Sequence, residues 1–454
     1  MDASGRRDDL TIGSVWKKLL IFFIPIAAGT CIQQLYNTVD GLIVGRFVGT
    51  SALAAVGGSS AHIINVLIGF FVSMTSGAAV VIAQIYGAGR IEDVRRASGN
   101  AIGVSMVLGL LLGAAGYFSS PALLMLMKTP EETIELSILY LRIYFAGVPF
   151  ILVLNMESNI LRSLGDSLNP FIFMVAGCVA NIVLDFVFVL GFGWGVAGVA
   201  TATVAAQIVN LALLTFRLIH SDSPCKLALK ELSIGGRHLK GMIRMGVPAG
   251  LQSAMYSLSN MLIQVAVNTL GTVVVASWAM TSKTDGIYWA VSSALGAAIT
   301  SFIGQNFGAG KMDRVKKCVT QGLMLSLGIT VFLSILIMAL AMPLLNILTR
   351  DTGVIETTYY LMWMFVPFYF TWSFIEVFSA VLRGAGDATR PVVIIGLGIC
   401  LFRVIWIFSV FAYFRTLEIL CMSYLTSWIV TDIALFVYYR RGGWLERSKN
   451  RFGE

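Results

Sequence analysis

Residues 82–97 read IAQIYGAGRIEDVRRA, and residues 303–318 read IGQNFGAGKMDRVKKC. The two stretches align without a gap at an offset of 221 residues, and the same offset joins LRSLGDSLNP (161–170) to LRGAGDATRP (382–391). Pro25 and Pro248 pair at nearly that spacing. Two motifs repeated in one order at one spacing make the chain a tandem repeat. Its domains are a first half over 1–220, a polar linker over 221–240 and a second half over 241–454 with a short tail.

Composition says where the repeat lives. Of 454 residues, 57% are hydrophobic and 12% charged, and mean hydropathy is +0.83. Soluble domains carry about 25% charge, so a soluble enzyme, a disordered chain and a disulfide scaffold are excluded. Twelve apolar stretches are long enough to cross a bilayer. They begin near 16, 53, 97, 137, 168 and 195, then near 243, 273, 318, 355, 391 and 417. Six spans per half return the chain to its starting side, so the halves insert in parallel, related by a twofold axis along the membrane normal. The expected fold is all-α and polytopic, with two six-helix lobes around a central cavity.

The net charge of +8 resides in loops. With the N-terminus inside, twenty-five basic residues fall on the cytoplasmic side against five outside (Arg46, Lys128, Arg142, Arg350 and Arg415). This asymmetry places both termini in the cytoplasm and the chain in the plasma (inner) membrane. It also accounts for the basic charge without a nucleic-acid partner. The six cysteines form no CxxC pair and the three histidines no cluster, so no metal site and no cofactor are expected. His62 reads as a satisfied core histidine.

Glycines in the GAGR and GAGK loops suit tight turns. In the LRxxGDxxxP loops, Asp166 and Asp387 suit helix caps and Pro170 and Pro391 first turns. A structural role is the plainer reading. The sharper one is a cytoplasmic gate in which Arg162, Asp166, Arg383 and Asp387 pair in one state. Pro25 and Pro248 mark bends in the first helix of each half.

Carboxylates at bilayer depth are costly and ask for a reason. Asp40 follows Tyr36 by four residues and Asn37 by three, so all three share a face. Asp185 follows Asn181 by four, and the next span supplies Thr201 and Thr203. Two acids withdrawn from water share a proton more readily than either alone in water. Such a pair suits a carrier that couples to protons. In the second half Lys283, Asp285, Glu376 and Arg403 read as a mutually paired network, and Glu157 as an interfacial partner of Arg162. Gln34, Asn37, Met174, Met255 and Tyr256 are candidates for a soft substrate cavity.

The run PIAAGTCIQQLYNTVDGLIVGRFVGTSALAAVG (25–57), with both pairs of repeated loops, resembles the multidrug and toxic compound extrusion (MATE) family over nearly the whole chain. The resemblance implies export of organic cations or amphipathic compounds driven by a proton or sodium gradient. Within the family the chain looks most like the DinF-type branch. That likeness implies coupling through Asp40, Asn181 and Asp185, with Thr203 the fitting threonine and Tyr36 tuning them. Sodium is the alternative occupant of Asp40, Asn181 and Asp185. The NorM-type branch places an acid in the seventh helix, and GVPAGLQSAMYSLSNMLIQVAVNTL (246–270) has none.

The leading expectation is therefore a secondary multidrug antiporter, working as a monomer on small amphipathic substrates in the lipid bilayer. The alternative is a lipid or lipid-linked oligosaccharide flippase, which would want cations rather than acids at depth. An intramembrane enzyme is disfavoured: no HExxH occurs, and GAGD (384–387) lies in a loop.

Overall fold

The computed structural model describes residues 9–220, 226–227, 231–441 and 443–453. Cys225 and part of the expected linker lie outside them. The first half contributes α1 (Val15–Val48), α2 (Thr50–Gly87), α3 (Ile91–Leu126), α4 (Glu131–Ser163), α5 (Leu168–Gly191) and α6 (Gly195–Ile219). The second contributes α7 (Leu239–Asn268), α8 (Thr272–Gly308), α9 (Met312–Leu348), α10 (Thr352–Gly384), α11 (Thr389–Phe414) and α12 (Leu417–Arg440). A short α13 (Gly443–Gly453) follows. At 1.5 Å per residue even the 24-residue members run about 36 Å, enough to cross a hydrocarbon layer of about 30 Å. Eleven are apolar enough to do so on composition. The twelfth, α7, has the length at 30 residues but carries Gln252, Ser253, Ser257, Asn260 and Gln264. Helices are forced here because no water in a bilayer can satisfy an open backbone.

Small residues let these helices approach. A Cβ at Gly77 of α2 would fall on the Gly246 backbone of α7, and Gly109 and Gly113 of α3 sit against Pro149 and Phe145 of α4. The α2–α7 contact is the broadest between the halves, backed by α8 against α1 and α2. Pro25 and Pro248 lie inside helices that continue through them.

Three of the spanning helices loosen locally into π-turns: α1 at Val44–Val48, α5 at Phe186–Gly191 and α11 at Gly396–Leu401 and Ile407–Phe411. Such turns are rare and cluster at functional sites. Asp40 stands one turn before the first, Asp185 immediately before the second, and Arg403 between the last two.

His62 is exposed rather than in the core. Hydrophobic periodicity reports burial only where the outer face meets water; in lipid both faces are apolar, so the rotation of α2 was not readable from its sequence.

Candidate coupling site and lobe clasp

In the first half α1, α5 and α6 converge on Asp40 and Asp185. The two carboxyl groups lie side by side. Asp185 is 0% exposed, Asn181 1% and Thr203 6%. Both Asp185 oxygens, one Asp40 oxygen and both amide atoms of Asn181 are buried with no hydrogen-bond partner among the described residues. The Tyr36 hydroxyl reaches Thr203, whose own hydroxyl donates to the Val199 carbonyl at 3.0 Å. Tyr140 stands close to both acids. Two facing carboxylates without a donor repel each other, and stripping each of water costs several kcal/mol. The arrangement becomes favourable when a proton or small cation sits between them. Asn181, one turn before Asp185 on α5, adds a buried amide without a partner among the described residues.

A polar cavity of about 170 Å³ begins one helical turn from this pair, at Tyr36 and Asn181. Tyr36 and Asn181 stand at one end, Arg162 and Pro170 at the other, with Asn155, Asn159, Gln207 and Asn210 between. From Pro170 to Asn181 it follows α5 for about 17 Å. None of these amides stood out in the sequence, because neutral polar residues are ordinary in helices. Glu157, 1% exposed, accepts from the Thr215 hydroxyl at 2.9 Å through both oxygens, and makes no ion pair with Arg162.

The repeated motifs meet where α2, α4, α8 and α10 end, on the face dense in basic residues. Gln84 donates to the Gly384 carbonyl at 2.9 Å, and Gln305 to the Ser163 carbonyl at 2.8 Å. Both the donors and the acceptors are 221 residues apart, so the two bonds are copies of each other across the pseudo-twofold axis. A Cβ at Gly87 would fall on the Gln305 backbone, and one at Gly308 on the Gln84 backbone. The second glycines of the GAG loops do another job: Gly89 and Gly310 turn the chain at φ +74° and +69°. Together these contacts clasp the halves shut on this face. Gln84 and Gln305 were visible as identical residues of the repeat, but their role depends on how the halves meet.

Among the described residues no ion pair joins the arginines and aspartates expected to form a gate; each meets other groups. Asp166 accepts from the backbone and side chain of Asn169, at 3.0 and 2.6 Å. Asp387 accepts from the Tyr438 hydroxyl, which also receives Arg390 and Arg447. Arg383 approaches Glu376 at 3.6 Å. Arg162 lines the polar cavity instead.

A family model described as MatE matches residues 25–187 and again residues 248–408. The two matches begin at Pro25 and Pro248, the helix-interior prolines that pair at nearly the repeat offset. The chain belongs to the MATE family.

Its MATE relatives include the probable multidrug resistance protein YoeA of Bacillus subtilis, 29% identical over 94% of both chains. The probable multidrug resistance protein NorM of Thermotoga maritima is 24% identical over 96% of this chain and 95% of its own. An outward-facing multidrug resistance MATE transporter of the MOP superfamily superposes with a TM-score of 0.88 at 23% identity, covering 99% of this chain and 100% of that one. The Vibrio cholerae MATE transporter VcmN, in its bent form, superposes with a TM-score of 0.86 at 22% identity, over 96% of this chain and 98% of its own. The protein is thus a multi-pass membrane transporter by family, and not an enzyme. Its fold is the twelve-helix MATE arrangement.

The second half of this MATE protein does not repeat the acid pair. Its four expected network residues are each met separately. Arg403, 4% exposed, stacks its guanidinium 3.7 Å from the Tyr424 ring centroid and donates to Ser427 at 3.0 Å. Asp285 lies beside the Tyr369 hydroxyl, Glu376 faces Arg383, and Lys283 is exposed. No ion pair joins the four among the described residues, because aromatic rings and hydroxyls stand where the partner charges were expected. The cavity candidates lie in different places. Met174 lines the polar cavity of the first half, against Gly29 of α1, whereas Met255 packs on Gly396 of α11 and Tyr256 beside Trp372. Gln34 and Asn37 are exposed, 3.4 Å apart.

Proposed function

We propose that this MATE transporter is a secondary antiporter that exports organic cations or other amphipathic compounds in exchange for protons, by alternating access of lobes 1–220 and 241–454. The observation that carries this reading is the pair Asp40–Asp185, side by side and without a donor, Asp185 buried and Asp40 half-buried, one helical turn from the Tyr36–Asn181 end of a polar cavity. A proton shared by the pair removes the repulsion, and its departure leaves negative charge that attracts a cationic substrate. Asn181 supplies a further ligand, Tyr36 and Thr203 hold the walls, and the set resembles the DinF-type branch. The same oxygens would accept sodium as the alternative ion; among the described residues no three His, Cys, Asp or Glu side chains gather as a metal site. Gln34, Asn37, Met174, Met255 and Tyr256 are the proposed substrate contacts. In this reading the clasped basic face is cytoplasmic, the membrane is the plasma membrane, and the working unit is a monomer.

A flippase for an anionic lipid would need several free cations at depth. Of the two in the second half, Arg403 is already engaged by Tyr424 and Ser427, which leaves Lys283 alone and supports the antiporter.

The test is uptake of a fluorescent organic cation into proteoliposomes under an imposed pH gradient and then a sodium gradient, for wild type, Asp40→Asn and Asp185→Asn. Uptake that follows the pH gradient and disappears in both variants is the expected result. Uptake driven by sodium alone would reassign the ion. Undiminished proton-driven uptake in both variants would end the proposal.

A further inference from the structure

A second cavity, of about 450 Å³, opens on the basic face beside the clasp, and the transport reading gives it no part. Its walls include Arg90, Arg237, His238, Lys240 and Arg244, with Gln84, Gly386 and Ser448 closing it from the seam. One carboxylate, Asp93, answers this charge. It binds Arg90 at 2.6 Å and Arg237 at 3.0 Å, with His238 at 3.5 Å. Lys240 and Arg244 stand one helical turn apart on α7, both exposed, with no ion-pair partner among the described residues. Four permanent cations against one carboxylate leave a concave site short of anions.

Next to it runs an apolar cleft between α2, α3 and α7, lined by Phe71, Met74, Leu108, Met242 and Ile243 among others. Exposed Ile243 follows Lys240 by three residues and neighbours it on the outer side of α7, while Met242 is buried behind it. The basic pocket and the apolar cleft thus flank the same stretch of α7.

We infer that this site binds an anionic phospholipid, its phosphate between Arg237, Lys240 and Arg244 and an acyl chain along the Phe71–Ile243 cleft. A phosphate diester supplies the missing negative charge, and basic pockets between helices on the positive side of a membrane protein suit such headgroups. A soluble phosphate would satisfy the pocket but leave the cleft unexplained.

Native mass spectrometry of the full chain, offered phosphatidylglycerol or phosphatidylcholine with the same acyl chains, tests this directly. Inorganic pyrophosphate serves as the soluble probe. Wild type is expected to retain phosphatidylglycerol about tenfold or more over phosphatidylcholine. The double variant Lys240→Gln, Arg244→Gln is expected to lose roughly thirtyfold in phosphatidylglycerol affinity, the weight of two basic residues at a lipid surface. A control, Lys317→Gln with Arg441→Gln, removes as much exposed charge elsewhere and is expected to bind as wild type. Displacement of phosphatidylglycerol by pyrophosphate would support the phosphate contact. Pyrophosphate binding without phosphatidylglycerol retention would overturn the lipid assignment. Equal retention of the two lipids by wild type, which needs no variant, would overturn the site, as would equal losses in the two double variants.

Discussion

Substituting Gly87 and Gly308 by alanine should loosen the clasp, and the structure sets the scale. Neither glycine has a positive φ, so alanine brings no backbone strain. Each added Cβ would instead meet backbone atoms of Gln305 or Gln84, which cannot swing aside as a side-chain tip can. Overpacking of this kind costs about 1–3 kcal/mol per site. It is felt only while the halves are shut, because separating them removes the overlap. Alanine's better helix propensity, worth about 1 kcal/mol, applies equally in both states and cancels. One substitution should therefore shift the equilibrium away from the clasped state by roughly 5- to 150-fold. Gly328→Ala is the matched control: it lies on α9 with nothing within 4 Å of its added Cβ. Spin labels at Glu92 and Lys317, one in each half on the basic face, would report the separation by pulsed EPR, under conditions where wild type populates both distances. A longer distance gaining population in Gly87→Ala and Gly308→Ala, but not in Gly328→Ala, is expected. A wild-type distribution in both clasp variants would show that these contacts do not hold the face shut.

Gln84→Ala and Gln305→Ala should shift the same EPR distribution less, each removing one cross-seam bond worth about 0.5–1.5 kcal/mol, and by pseudo-symmetry to similar extents. Thr215→Val deprives buried Glu157 of its donor and should lower stability to chemical denaturation by about 1–3 kcal/mol; adding Glu157→Leu to it should recover much of that loss. Arg403→Lys keeps the charge but loses the flat stack on Tyr424 and the bond to Ser427, at about 1–2 kcal/mol in the same assay, while gradient-driven uptake through Asp40 and Asp185 continues. A double-mutant cycle of Asp40→Asn with Gln305→Ala, read by the EPR equilibrium, should give a coupling of about 0.5–2 kcal/mol; additivity would separate the acid pair from the clasp.

The halves were legible because a 221-residue offset survives in loops whose glycines and glutamines face exacting contacts. The acids were legible because a charge in an apolar run is conspicuous. What the sequence hid depended on helix rotation or on the meeting of the two halves. His62 was misplaced because lipid and core are equally apolar. The cavity amides Asn155, Asn159, Gln207 and Asn210 are spread over two helices and converge only when α4 packs against α6. Charge pairing in the second half was expected on the assumption that buried charges need opposite charges, yet Arg403 found an aromatic face instead.

α1 connects the clasp to the proposed coupling site. Ahead of its first turn, the Leu10 N–H donates to Gln305 at 3.3 Å, Asn306 donates to the Leu10 carbonyl at 3.2 Å, and Arg314 donates to the Gly13 carbonyl. One end of α1 is thus fastened to the second half, within the clasp itself. The other end carries Asp40 against Asp185 of the first half, one turn before its backbone loosens into the Val44–Val48 π-turn. Pro25 lies between, where a missing backbone donor lowers the cost of bending. A charge change at Asp40 alters what holds the far end of α1 to α5, while the near end stays tied to α8. In the proposed cycle the helix would then bend at Pro25 or pull on Gln305, and either response would change the fit of the two halves at the basic face, which is the coupling the double-mutant cycle measures.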